Sequence, residues 1–291
     1  MVSPGATYAS LTGEVRKMLH DAGNENAAFE ARQLAAFCKG DTTEGLLRDY
    51  ALCPPEDYRE KLMELVMRRL SDEPLAYILG FWEFYGLRFN VSPAVLIPRI
   101  DTETAVYEAL GALKGISSPR IMDLCTGSGC IGLTLLHNIP DAAAVLADIS
   151  DDALSTAKAN AEALGLSDRA EIIKLDALSP FPETLRDFDL IISNPPYIPT
   201  AEVGTLDLSV RGFEPRSALD GGEDGLDFYR AIVPMHMCRL RKGGLFIFEI
   251  GEGQAEDVCS ILSENGFADV KAVKDTAGTD RVILGRRNTC E

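Results

Sequence analysis

The chain has 291 residues, 46% hydrophobic and 25% charged, which excludes a disordered chain and leaves room for one or two domains with full cores. Its net charge of -17 repels a phosphate backbone and an anionic membrane surface, and no basic module hides in the total, because residues 1–75 carry -4 and residues 76–291 carry -13. Seven cysteines without a Cys-x-x-Cys pair argue against a disulfide framework, and three scattered histidines argue against a zinc centre or a histidine-based triad.

The opening Met1-Val2-Ser3-Pro4-Gly5 lacks the layout of a secretory signal, and no apolar run approaches the ~18 residues of a membrane span, so a cytoplasmic protein is expected. Leu11, Val15, Met18 and Leu19 then follow a helical stripe that Gly23 would stop. Asn26 stands at the start of a second helix, with Ala31, Leu34, Ala35 and Cys38 inward and Gly40 at its end. A third helix is expected from Pro55 to Leu70, with Arg68 and Arg69 complementing the dipole of its last turn. Residues 1–75 thus read as a helical domain for docking or positioning. Between Gly80 and Pro98, aromatic and β-branched residues crowd around Gly86, the pattern of a β-hairpin joining two domains over residues 76–100.

From Arg120 onward strands are expected at 120–124, 144–149, 171–175, 189–193, 245–250 and 281–285. Helices between them fall at about 130–138, 151–164, 225–240 and 253–265. This alternation makes residues 101–291 an α/β domain with a mostly parallel sheet and helices on both faces.

Asp123-Leu124-Cys125-Thr126-Gly127-Ser128-Gly129-Cys130-Ile131-Gly132 leaves the first strand of that domain and enters a helix. Gly127, Gly129 and Gly132 have the G-x-G-x-x-G spacing that lets backbone approach a nucleotide-like ligand. Asp123, Asp148 and Asp176 close three successive strands, where all three carboxylates are expected to face the ligand crevice. Asp148 suits a ribose diol. An acidic crevice favours a sulfonium methyl donor over NAD, without deciding between them.

The segment Asn194-Pro195-Pro196-Tyr197 follows an apolar strand directly. An amide nitrogen is a poor nucleophile because its lone pair is delocalised, so a site that methylates one must fix both N–H groups and turn that lone pair outward. The Asn194 side-chain carbonyl and the Pro195 backbone carbonyl offer two acceptors. The prolines stiffen the loop in advance. Tyr197 is expected to lay its ring on a planar substrate group.

With these residues in place the sequence resembles the HemK-type release factor glutamine methyltransferases over nearly its whole length. The resemblance runs through Pro74 to Gly80, Val95-Leu96-Ile97-Pro98-Arg99, the glycine loop, Asp148-Ile149-Ser150, Asn194 to Tyr197, Glu214-Pro215-Arg216, Leu219 to Leu226, Gly243-Gly244, Glu249-Ile250-Gly251 and Asp280-Arg281. It implies a Rossmann-like, seven-stranded methyltransferase fold, with a helical N-terminal domain that contacts the release factor and a linking hairpin. It also implies methyl transfer from S-adenosylmethionine, leaving S-adenosylhomocysteine, to the glutamine amide of a Gly-Gly-Gln motif.

By resemblance, Asp123, Cys125, Thr126, Gly127, Ser128, Gly129, Asp148, Ile149, Asp176, Ala177 and Asn194 hold the cofactor, while Asn194, Pro195, Pro196 and Tyr197 hold the glutamine. Catalysis falls to Asn194, Pro195 and Tyr197. No metal, nucleic acid or membrane partner is expected, and the chain is expected to act as a monomer. Two departures stand out: Cys125 replaces a glycine, and the family's Arg-Pro-Glu-Thr-Glu reads Arg99-Ile100-Asp101-Thr102-Glu103. The alternatives are a methyltransferase acting on a ribosomal protein glutamine or on a nucleic-acid base, and a non-catalytic binding module.

Overall fold

A computed structural model describes residues 5–288; Met1–Pro4 and Thr289–Glu291, with Cys290, lie outside the described residues. The six described cysteines are free. Among the described residues, no helix is long and apolar enough to cross a membrane. The chain divides into two units, the first ending at Gly80 and the second starting at Phe81.

The first unit is helical, with α1 Tyr8–Asp21, α2 Ala27–Lys39, α3 Thr43–Arg48, α4 Tyr58–Leu70 and α5 Leu75–Leu79. Thr7 opens α1 with a capping box, and Gly40, left-handed at φ 71°, closes α2. The helices α1, α2 and α4 meet, and Leu11, Val15, Leu19, Leu34, Leu62 and Val66 on them are all but sealed from solvent. Each such side chain contributes roughly 1.5–3 kcal/mol of burial. The Arg69 guanidinium forks onto buried Glu30 at 2.6 and 3.2 Å, tying α4 to α2.

The second unit opens with a hairpin, β1 Phe81–Phe84 and β2 Leu87–Asn90, turning through Tyr85 and Gly86 at φ 52° and 74°. Two successive positive φ angles are the signature of the turn whose twist matches paired strands. Phe84 and Phe89 are sealed into the core of this unit, so the hairpin packs as part of it.

Then come α6 Glu103–Leu113, β3 Arg120–Leu124, α7 Cys130–Asn138, β4 Ala143–Asp148, α8 Asp151–Ala163, β5 Ala170–Lys174 and β6 Phe188–Ser193. Two single-turn helices, α9 Thr200–Val203 and α10 Leu208–Arg211, precede α11 Asp227–His236, β7 Leu240–Glu249, α12 Ala255–Glu264, β8 Phe267–Lys274 and β9 Asp280–Arg287. The seven strands of the large sheet lie in the order β5-β4-β3-β6-β7-β9-β8. The first five run parallel, and β9 and β8 close the edge antiparallel.

Strand alternation sends successive side chains to opposite faces. Ile121, Leu190, Ile192, Leu245 and Ile247 pack beneath α6 and α7. Met122, Leu124, Ile191, Phe246 and Phe248 pack beneath α11 and α12. Both faces are covered, as a parallel sheet requires.

Candidate active site

Strand order reverses between β3 and β6, which opens a crevice at their carboxyl ends. Ser193 Oγ donates to the Leu124 carbonyl at 2.7 Å and stitches the two ends together. A cavity of about 620 Å³ lies here, within the range of a small-molecule site.

The glycine loop reaches its wall with Cys125, Thr126, Gly127 and Ser128. Cys125, Gly127 and Gly129 are left-handed, with φ 56°, 55° and 81°. Glycine adopts that backbone freely, whereas Cys125 carries a strain of about 1–2 kcal/mol. Burial pushes the Cys125 thiol far up, so it stays neutral and is no nucleophile.

Asp123, expected at the crevice, is fully buried and absent from the cavity wall. Alternation along β3 turns it with Ile121 towards α7. Its Oδ2 accepts the Thr126 hydroxyl at 2.6 Å and the Gly132 N–H at 2.9 Å, so it braces the loop from behind. Burial pushes its carboxyl up to about 7. Gly129 also stands behind the wall, where a Cβ would meet Leu133 at 2.9 Å. Asn160 of α8 completes the brace by donating to the Ser128 carbonyl at 2.8 Å.

Asp148, Ile149, Asp176 and Ala177 do reach the wall. Asp148 takes the Gly127 N–H at 2.9 Å and the Ser150 N–H at 3.0 Å, one on each oxygen, so each keeps a lone pair for a ligand. Asp176 binds the Leu178 N–H and the Ser179 hydroxyl at 2.9 and 2.8 Å. The Ser128 hydroxyl is buried in the wall without a partner. Buried His236 supports the Ala177 carbonyl at 3.4 Å and stacks on Phe181; burial lowers it to about 4, so it is neutral.

The wall carries Asp148, Asp176, Asp220 and Asp227 against Arg99 and Arg216, and both arginines are ion-paired, with Glu214 and Asp220. Such a wall attracts a cation and repels a diphosphate. The dinucleotide alternative loses its support.

Asn194 and Pro196 line the cavity; Pro195 and Tyr197 do not. Asn194 Nδ2 donates to Thr102 Oγ1 at 3.4 Å. The Tyr197 hydroxyl points away to buried Glu249 at 3.3 Å, and its ring packs on the core. Gln254 Nε2 donates to the Tyr197 carbonyl at 2.9 Å while its Oε1 takes the Gly251 N–H at 2.9 Å. A Cβ on Gly221 would stand 2.7 Å from the Pro196 carbonyl oxygen, so glycine there lets two backbones touch. Arg99 and the Ile97 N–H both bind buried Glu214, fastening the segment before α6 to the segment after α10.

Residue reading assigned no role to Thr102, Glu214, Glu249 or Gln254. The signal was present in Glu214-Pro215-Arg216 and Glu249-Ile250-Gly251, but polar residues in loops take their meaning from distant partners.

A doubly wound sheet with an acidic cavity at its switch point, edged by a glycine loop and an Asn-Pro-Pro-Tyr turn, defines a methyltransferase. The Methyltransferase small domain family model matches residues 97–207, and the PrmC N-terminal domain model matches residues 11–80. The release factor glutamine methyltransferase of Bradyrhizobium diazoefficiens is 42% identical over 97% of this chain and 96% of its own. That of Geobacter sulfurreducens is 42% identical over 96% of each. The hMettl16 catalytic domain shares the fold at 16% identity, with a TM-score of 0.58 over 81% of this chain and 83% of its own. The chain belongs to the release factor glutamine methyltransferase family.

Proposed function

We propose that the protein methylates the side-chain amide nitrogen of the glutamine in the Gly-Gly-Gln motif of a peptide chain release factor, with S-adenosylmethionine as donor. The observation that carries this reading is Asn194, held by its Nδ2 at the wall of the cavity that the glycine loop and Asp148 share. With Nδ2 engaged, the Asn194 carbonyl is the end left for a substrate N–H; Pro195, expected as the second acceptor, stands outside the cavity wall. An acceptor fixed in advance orients the amide and leaves the nitrogen lone pair to attack.

S-adenosylmethionine, when bound, supplies an electrophilic methyl carbon on a cationic sulfur. Asp148 has lone pairs free for the ribose diol, and Asp176, Ala177 and exposed Ile149 offer further contacts. The excess of aspartate in the wall suits the sulfonium charge. Methylation makes the remaining N–H acidic, so its proton leaves to solvent without a dedicated base. Tyr197 acts by anchoring the turn to Glu249 rather than by stacking on the substrate. Residues 1–75 serve to dock the release factor.

Incubation with methyl-labelled donor and a release factor carrying Gln or Ala in Gly-Gly-Gln tests this. Label is expected on the Gln form alone; label that ignores the substitution would falsify the reading.

A further inference from the structure

The two cations of the cavity wall, Arg99 and Arg216, are held in different ways. Arg216 pairs with Asp220 at 2.9 Å, and its side chain is 67% exposed. Arg99 Nη2 donates to Glu214, whose side chain is only 1% exposed, and the other Glu214 oxygen takes the Ile97 N–H at 3.2 Å. A buried carboxylate thus fixes this guanidinium before any ligand arrives. A guanidinium has more N–H donors than one carboxylate oxygen can take, and the Arg99 side chain keeps 38% of its surface open.

Arg99 also has a defined place along the crevice. Its carbonyl accepts the Thr102 N–H at 3.2 Å, and the Thr102 hydroxyl accepts from Asn194 at 3.4 Å. It therefore belongs to the β6 end, whereas Asp148 and Asp176 stand at the ends of β4 and β5. A donor with its ribose on Asp148 and its methyl carbon at Asn194 carries the amino-acid arm of its sulfur to the Asn194 end. That arm ends in a carboxylate, the one anionic group of S-adenosylmethionine. An acidic wall that suits the sulfonium repels this carboxylate, so its binding calls for a cation fixed at that end.

We infer that Arg99 receives the α-carboxylate of the methyl donor, with Glu214 as the positioning residue that aims it. The planar N–H groups of one guanidinium then serve two carboxylates, Glu214 behind the wall and the donor's within the cavity. Charge is sorted along the crevice, with aspartates at the adenosine end and Arg99 at the other. Arg216 takes no part, because its ion pair is exposed and screened.

The inference rests on the reading that S-adenosylmethionine is the donor, and the test keeps the two apart. Calorimetry on the full chain measures Kd for S-adenosylmethionine and for decarboxylated S-adenosylmethionine, which keeps the sulfonium and lacks only the carboxylate. Wild type is expected to bind the intact donor about 10–100-fold more tightly, as for one charge-assisted pair. Arg99→Gln weakens the intact donor by about the same factor and binds the decarboxylated one at least as well. Arg99→Lys keeps a charge for Glu214 but loses the fork, so its ratio falls in between. Arg216→Gln keeps the wild-type ratio.

Equal affinities in wild type would overturn the inference, and that comparison needs no variant to fold. A wild-type ratio retained in Arg99→Gln would overturn it too, by handing the carboxylate to the backbone N–H groups of the glycine loop. So would a ratio that collapses in Arg216→Gln and not in Arg99→Gln. Failure of wild type to bind either molecule would refute the donor reading itself and the inference with it.

Discussion

The glycine loop and the Asn-Pro-Pro-Tyr turn sit side by side at neighbouring strand ends, yet they are held by different means. The glycine loop is held mostly from nearby in sequence: Asp123 braces Thr126 and Gly132, Asp148 braces Gly127, and left-handed residues shape the rest. The turn is held from far away. Its partners are Thr102, Gly221, Glu249 and Gln254, spread over about half the chain. Nearby bracing makes a cradle that local chemistry can specify. Distant bracing makes a catalytic turn that is shaped only once the whole unit has folded.

Substitutions can separate the two. The largest effect is expected for Asn194→Ala, which removes the acceptor itself: kcat falls by about 10²–10³-fold while donor affinity falls less. Equal losses in kcat and donor Kd would assign Asn194 to the cradle instead. Gln254→Ala frees the Tyr197 and Gly251 groups and is expected to cost about 1–3 kcal/mol of stability. Its kcat falls further than its donor affinity, a split that denaturant melts paired with steady-state kinetics would resolve.

A smaller, pH-dependent effect is expected behind the Ala177 corner. His236 is lowered to about 4 against an ordinary value of 6.5, so its contribution is present above pH 6.5 and is lost as pH falls towards 4. The stability difference between wild type and His236→Gln, followed by urea melts across that window, should shrink with acidification by at most about 1.4 kcal/mol per pH unit. A difference that grows on acidification would contradict a buried neutral imidazole. The smallest effect is expected at the strained position of the loop. Cys125→Gly should be at least as stable as wild type, and Cys125→Val less stable by about 1–2 kcal/mol, because a β-branched side chain fits φ 56° worst.

The same contrast explains what was legible in the sequence. The strand at 120–124 and the helix at 130–138 are found where periodicity puts them, and the other buried strands agree to within a residue or two at most ends. β7 starts five residues earlier than expected, because Arg241, Lys242 and Gly243 hide its first half behind polar side chains. β8 was missed because its apolar residues keep no steady alternation: it is an edge strand with Lys271 and Lys274 outward and a register irregularity at Asp269, left-handed at φ 52°. α3, α5 and α6 were also not foreseen, the first two being only one or two turns long. Within the site, the glycine spacing and Asn194 could be read directly. The turn of Asp123 away from the crevice follows from strand alternation, but only once Ile121 is known to face α7.

Residues 197–214, which include α9 and α10, take no part in the cavity wall. They form an excursion clasped at its root, where Ile198 bridges Asp220 and the Thr200 N–H meets the Gly222 carbonyl at 2.8 Å. A loop pinned at its neck can lengthen, shorten or carry cargo at its tip while the chemistry below goes on undisturbed. The tip around Gly204 to Leu208 is therefore a natural place to graft a reporter.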